Sequence, residues 1–175
     1  TDPVLVTLGD GLYNDGEPNE NDLIHDTFET LKLGAGDDYA VGSQVSESIH
    51  GLDGDDEIHL ADSTSYNAAY GDGGNDSLFG GSGFSWIQGG PGNDLIDGAG
   101  SADQLYGDDS WGWDSGNDHI ITGPGGGAVI PGAGDDVIES FNGVKNDIWC
   151  DYEGVDTVDA DIIDNVFQCT NVNLH

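Results

Sequence analysis

The stretch GGPGNDLIDG at residues 89–98 decides the fold. Five of its ten residues are glycine or proline and two are aspartate, so only Leu95 and Ile96 can enter a core. A segment so poor in apolar residues must share its core with neighbours. Working outward from it, a nine-residue frame recurs in which position 8 is the buried one. That position reads Leu31, Ala40, Ile49, Ile58, Ala69, Leu78, Ile87, Ile96, Leu105, Ile120, Val129, Ile138, Trp149, Val158 and Phe167, apolar every time. Small insertions fall near 60 and 140, and the largest, GDDSWG, at 107–112.

Charge narrows the partners. Across 175 residues, 2 Lys and Arg stand against 35 Asp and Glu, a formal net charge of −33, which excludes nucleic acid and phospholipid and points to cations. With 35% hydrophobic residues and 30 glycines, the chain by itself sits near the disordered class, so something must neutralise it before it folds. No apolar run reaches the length of a membrane span, and TDPVLVTLGDG at the start lacks a basic-then-apolar export signal. Two cysteines, Cys150 and Cys169, are compatible with one disulfide and an oxidising compartment, the alternative being two free thiols.

GGPGNDLID fits the nonapeptide GGxGxDxUx, U being apolar, at every position, and over residues 24–168 the chain resembles the RTX (repeats-in-toxin) calcium-binding family. The resemblance implies an all-β, right-handed parallel β-roll, a β-solenoid. In it six residues of each nonapeptide turn, three form a short strand, and two nonapeptides complete a coil. Calcium then lies between loops stacked on one side.

Successive nonapeptides alternate sides in such a coil, so a functional asymmetry must have a period of eighteen. On one side the loops read LGAGDD (33–38), GLDGDD (51–56), GDGGND (71–76), GGPGND (89–94), WDSGND (113–118), PGAGDD (131–136) and DYEGVD (151–156). Each has Gly at position 4 and Asp at position 6. On the other side position 4 reads Thr27, Val45, Ser65, Gly83, Ser101, Gly125, Lys145 and Ile163, and position 6 reads Glu29, Glu47, Asn67, Ser85, Asp103, Gly127, Asp147 and Asn165. Calcium is therefore expected along one edge only.

Calcium takes six to eight oxygens, and a glycine-rich loop can turn its carbonyls inward. By the resemblance, the charged ligands are Asp38, Asp56, Asp76, Asp94, Asp118, Asp136 and Asp156. Position 2 contributes the carbonyls of Gly34, Leu52, Asp72, Gly90, Asp114, Gly132 and Tyr152. Position 4 contributes those of Gly36, Gly54, Gly74, Gly92, Gly116, Gly134 and Gly154. Seven loops leave about six gaps, hence about six Ca2+. Tyr152 and Glu153 depart from the family's small residues, and the insertion offers Asp108 or Asp109 as extra ligands.

Residues 1–23 are expected to cap the roll and 169–175 to form a tail. Cys150, at position 9, and Cys169, just after position 9 two nonapeptides later, fall on one side a coil apart, within disulfide reach. His25, His50, His59, His119 and His175 are scattered, and no Ser, His and Asp arrangement stands out, so the chain is not expected to be an enzyme. Tyr70, Trp86 and Tyr106 fall on outward strand positions one coil apart, suiting either a carbohydrate or cell-surface ligand or plain strand stiffening. The expectation is a secreted monomeric module that folds on calcium. A carbohydrate-binding or adhesin module and an appendage of a secreted hydrolase or epimerase are the alternatives.

Overall fold

The computed structural model describes residues 2–8, 30–63, 66–109, 116–151 and 153–175. They form seventeen strands and no helix, hence none long and apolar enough to cross a membrane. Nine odd-numbered strands make one sheet: β1 (Leu5–Thr7), β3 (Tyr39–Val41), β5 (Glu57–His59), β7 (Ser77–Phe79), β9 (Leu95–Asp97), β11 (His119–Ile121), β13 (Val137–Ser140), β15 (Thr157–Ala160) and β17 (Asn171–Leu174). Eight even-numbered strands make the other: β2 (Thr30–Gly34), β4 (Ser48–Asp53), β6 (Asn67–Gly73), β8 (Ser85–Gln88), β10 (Asp103–Tyr106), β12 (Gly127–Ile130), β14 (Asn146–Trp149) and β16 (Asn165–Phe167). Every pairing joins strands two apart in sequence and is parallel, so the chain alternates between sheets as a β-solenoid.

Each short strand sends one residue inward, because side chains alternate across a strand and only the middle of three can face the opposing sheet. The odd sheet stacks Ala40, Ile58, Leu78, Ile96, Ile120, Ile138 and Val158; the even sheet stacks Ile49, Ala69, Ile87, Leu105, Val129 and Ile148. All are buried, each Val, Leu or Ile contributing about 1.5–3 kcal/mol and the two alanines less. Two inward positions differ from the sequence reading. Trp149 and Phe167 are 38% and 43% exposed, and Ile148 and Val166 point inward in their place, in register with Val129. The narrow space between the sheets takes one branched aliphatic per rung, whereas the two large rings stack on each other outside, centroids 5.8 Å apart.

The ends also differ in detail. Residues 171–174, expected in a tail, are β17 and pair with β15. Of the expected cap, β1 is the first rung of the odd sheet beside β3, and residues 9–23 lie outside the described residues. Loops running from even to odd strands define a first edge of the solenoid; those running from odd to even define the second.

Candidate metal-binding edge

The first edge gathers Asp38, Asp56, Asp76, Asp94, Asp118, Asp136 and Asp156 into one buried row. Each precedes an odd strand, and the backbone N–H of each of the first six donates to Oδ1 of the Asp one coil on. The N–H of Asp38 reaches Asp56 at 2.7 Å, that of Asp56 reaches Asp76 at 2.8 Å, and that of Asp76 reaches Asp94 at 2.8 Å. Asp94 to Asp118 is 2.9 Å, Asp118 to Asp136 is 2.8 Å and Asp136 to Asp156 is 3.4 Å. At the start, Val4 N–H donates to Asp38 at 2.7 Å. These bonds hold one oxygen of each carboxylate. The other, Oδ2, is buried without a partner in Asp56, Asp76, Asp94, Asp118 and Asp136.

Glycine at position 4 has a steric cause. A Cβ on Gly92 would overlap the Gly74 carbonyl oxygen and one on Gly116 that of Gly92, so the position-4 peptides stack with no room for a side chain. At position 2 the backbone enters the left-handed region even with a side chain present, at Leu52 (φ 82°) and Asp72 (φ 66°). The carbonyls expected to serve as ligands thus belong to the most tightly constrained turns.

Burial pushes Asp56 up to about 6, Asp76 and Asp94 to about 7, and Asp118 and Asp136 to about 8; Asp156 is raised as well. Desolvation is the main cause and neighbouring carboxylates add to it, opposed by the backbone N–H bonds. A file of buried oxygens that resist ionisation needs protons or a cation. Among the described residues no three His, Cys, Asp or Glu side chains converge, so an ion here must draw on backbone carbonyls besides carboxylate. Oxygen-only donors with one carboxylate per loop fit a hard cation such as Ca2+.

The loop after β10 has a different register from the one expected. Gly107 takes position 1, its carbonyl accepting from Gly90 N–H at 2.8 Å, and Asp108 takes position 2, donating its N–H to Pro131 O at 3.1 Å. The insertion therefore follows Asp108, and Asp114, expected at position 2, is outside the described residues with Trp111 and Trp113; so is Tyr152. Asp108 is buried, its Oδ2 accepts from Ala133 N–H at 2.7 Å, and its Oδ1 has no partner. It brings an extra carboxylate to the first edge.

A second file runs outside the first and was not read from the sequence. Position 5 holds Asp37, Asp55, Asn75, Asn93, Asn117 and Asp135, and each side-chain oxygen accepts the N–H of position 5 one coil on, as from Asn93 to Asn75 at 2.9 Å and Asn117 to Asn93 at 2.8 Å. The signal was an unbroken run of Asp or Asn before the position-6 Asp in the first six loops.

The second edge is built differently. Glu47 folds back onto Ser43, accepting from its N–H and hydroxyl at 2.7 and 2.9 Å, and Asp164 accepts from Asn146 N–H, Ser140 Oγ and Asp161 N–H. The register shift at Ile148 and Val166 makes Asn146 and Asp164 the position-6 residues, in place of Asp147 and Asn165. Most of this edge satisfies its polar groups internally.

Tyr70, Trp86 and Tyr106 all face outward but form no single ladder. Tyr70 aligns with Gln88, and Gln88 with Tyr106, so Tyr70 stacks on His50 at 4.4 Å while Trp86 stacks on Tyr106 at 4.7 Å. His50 Nδ1 lies 3.1 Å from Asp72, and His59, also outward, stacks on Phe79 at 4.5 Å. Cys150 and Cys169 form a disulfide with Cα atoms 5.0 Å apart. It ties off the turn from β16 to β17, where three residues replace a full loop.

Residues 70–105 match the family of the RTX calcium-binding nonapeptide repeat, in four copies. No curated protein and no solved structure matches the chain.

Proposed function

We propose that this chain is a secreted, non-catalytic calcium-binding module that folds as its first edge takes up about six Ca2+. The observation that carries the reading is the row of buried Oδ2 atoms without partners, one coil apart, beside turns crowded with backbone carbonyls. The ligands would be the position-6 Asp residues from Asp38 to Asp156, with carbonyls of positions 2 and 4, and Asp108 as an additional carboxylate. Calcium supplies the positive charge that lets these carboxylates stay ionised when buried. The chain supplies the rest: the N–H ladder holds each carboxylate in place, and the position-4 glycines bring successive loops close enough to share an ion.

Mass action connects binding to folding. The unbound chain repels itself through its net charge of −33 and gains stability from anything that binds only the folded state. Low calcium inside a cell then keeps the chain extended, and millimolar calcium outside folds it. The disulfide suits the same oxidising destination.

The test compares Asp94→Ala with Ser85→Ala, both at position 6 of adjacent nonapeptides. Asp94 lies between two gaps of the first edge, and Ser85 on the second. Calcium titration followed by circular dichroism is expected to show a midpoint raised tenfold or more for Asp94→Ala and little changed for Ser85→Ala. Equal midpoints would refute the first-edge reading.

A further inference from the structure

The two ends of the odd sheet differ. At its start the inward residue of β1, Val6, is 4% exposed, although β1 pairs only with β3 among the described residues. At its other end the inward residue of β17, Val172, is 40% exposed, whereas Val158 on the rung before it is fully buried. The core row is covered at the first rung and open at the last. Beside Val172, Leu174 is 56% exposed, and the loop into β16 exposes Ile162 and Ile163. Phe167 stacks one ring face on Trp149, a coil earlier, which turns its other face toward the open end.

Backbone groups are open there too. The N–H groups of Asn171 and His175 donate to Asp156 O and Ala160 O of the preceding coil. Successive N–H groups point to opposite sides of a strand, so those of Val172 and Leu174 face away from β15, where no strand lies among the described residues. An edge of this kind is a template for another strand, and charged side chains are the usual means of blunting it.

Here the charge is withdrawn instead. Residues 165–175, NVFQCTNVNLH, contain no Asp or Glu in a chain of net charge −33. Both carboxylates of the last loop turn back onto the coil before: Asp161 accepts from the N–H groups of Asn142 and Gly143, and Asp164 from Asn146 N–H and Ser140 Oγ. Asn165 and Asn173 donate their side-chain amides to Asp147 and Asp159 at 2.6 and 2.8 Å, so the outward acidic rows of both sheets end in neutral groups.

A basic partner finds no counter-charge on this end. A second copy is repelled wherever carboxylates line the surface, and here none do. Because the start of the odd sheet is already covered, a head-to-tail stack has no second open end to grow on, whereas two open ends can close on each other about a two-fold axis. An axis perpendicular to the sheets reverses strand direction. β17 then meets the second copy's β17, and β16 its β16, antiparallel, so that both sheets continue across the junction and the open valines cover one another.

We propose that the last coil is a docking surface for a second copy of this chain, and that the folded module is an end-to-end dimer closed through β16 and β17, in place of the monomer expected from the sequence. The contact involves no calcium ligand.

The experiment is sedimentation velocity of the full chain in saturating calcium over a dilution series, for wild type, Val172→Pro and Leu174→Glu, with amide exchange of the wild type at the two ends of the series. Proline at 172 removes an N–H directed at the second copy and leaves the bonds to the β15 coil in place, and glutamate at 174 adds a like charge at a side chain already exposed. Wild type is expected to pass from 18.2 kDa toward twice that mass as concentration rises, the amides of Val172 and Leu174 slowing at least about tenfold. Both variants should stay at one chain and keep the wild-type calcium midpoint for folding. A single chain at every concentration, a mass that grows beyond two chains, a dimer that survives in either folded variant, or unchanged exchange at Val172 and Leu174 would overturn this interface and leave the calcium reading standing. If a variant does not fold, the wild-type masses and exchange decide.

Discussion

At position 4 of the first-edge loops the absence of a side chain is a packing requirement between coils. Gly92 lies against the Gly74 carbonyl at φ 143°, whereas Gly143, also at positive φ (79°), has nothing within 4 Å of its would-be Cβ. Gly143→Ala meets only the backbone preference, about 1–2 kcal/mol. Gly92→Ala adds an overlap that must push two coils apart, so it should cost at least twice as much and weaken calcium binding as well. Denaturant unfolding in saturating calcium measures the difference; equal losses would show that the coils are not in the contact described. The same scale separates Ile148 from Trp149. Ile148→Ala opens a cavity in the inner row and should cost about 2–5 kcal/mol, while Trp149→Ala loses an exposed ring pair of about 0.5–1.5 kcal/mol. A larger loss at Trp149 would restore the alternative frame.

Among the elements, the two strands that end the solenoid have no later coil to hold them. β17 is bonded on one side only, to β15, and the disulfide fastens the short turn that delivers it. Replacing both cysteines by serine should cost about 2–4 kcal/mol, by freeing the closed loop in the unfolded chain. The structural effect should stay local: amide exchange is expected to speed up in β16 and β17 and to stay unchanged from β3 to β11, because each coil touches only its neighbours. Uniform acceleration along the roll would show a single cooperative unit instead. The position-5 ladder bears on the same question. It links coils outside the carboxylate row in the opposite direction, later N–H to earlier side chain, so adjacent coils are held by bonds of both senses.

For the whole molecule, the carboxylate row sets the response to pH. The folded-state values of Asp56, Asp76, Asp94, Asp118 and Asp136 are raised to between about 6 and about 8, above an unfolded value near 4. A raised folded value means the metal-free fold binds more protons than the unfolded chain. That stability is fully present below the unfolded value and is lost as pH rises through about 6 to 8. In excess chelator the β circular dichroism signal should therefore be stronger at pH 5 than at pH 8. With saturating calcium the dependence should flatten or reverse, since protons compete with the metal for the same oxygens. A chelated protein more ordered at pH 8 than at pH 5 would contradict the burial of this row. Magnesium should fold the chain poorly at either pH, because it dehydrates reluctantly and demands a stricter octahedron.

The repeat alone determined the coil, the inward aliphatic row through Ile138, the division into a carboxylate edge and a decayed edge, and the cysteine pair, because a nine-residue period with two faces leaves a parallel solenoid little freedom. The choice between Ile148 and Trp149 was illegible, since both are apolar and an insertion can be placed on either side. Only the width between the sheets excludes the indole. Likewise Asp108 enters the first edge because its N–H and carboxylate bond to the coil of Pro131 and Ala133, residues far along the chain. Tyr70, Trp86 and Tyr106 separate into two stacked pairs because rings join along whichever rows of the pleat they share. The open end is a tertiary matter too: residues 169–175 read as a tail until β17 pairs with β15, and only the coil before them shows Asp161 and Asp164 turned back and away from that end.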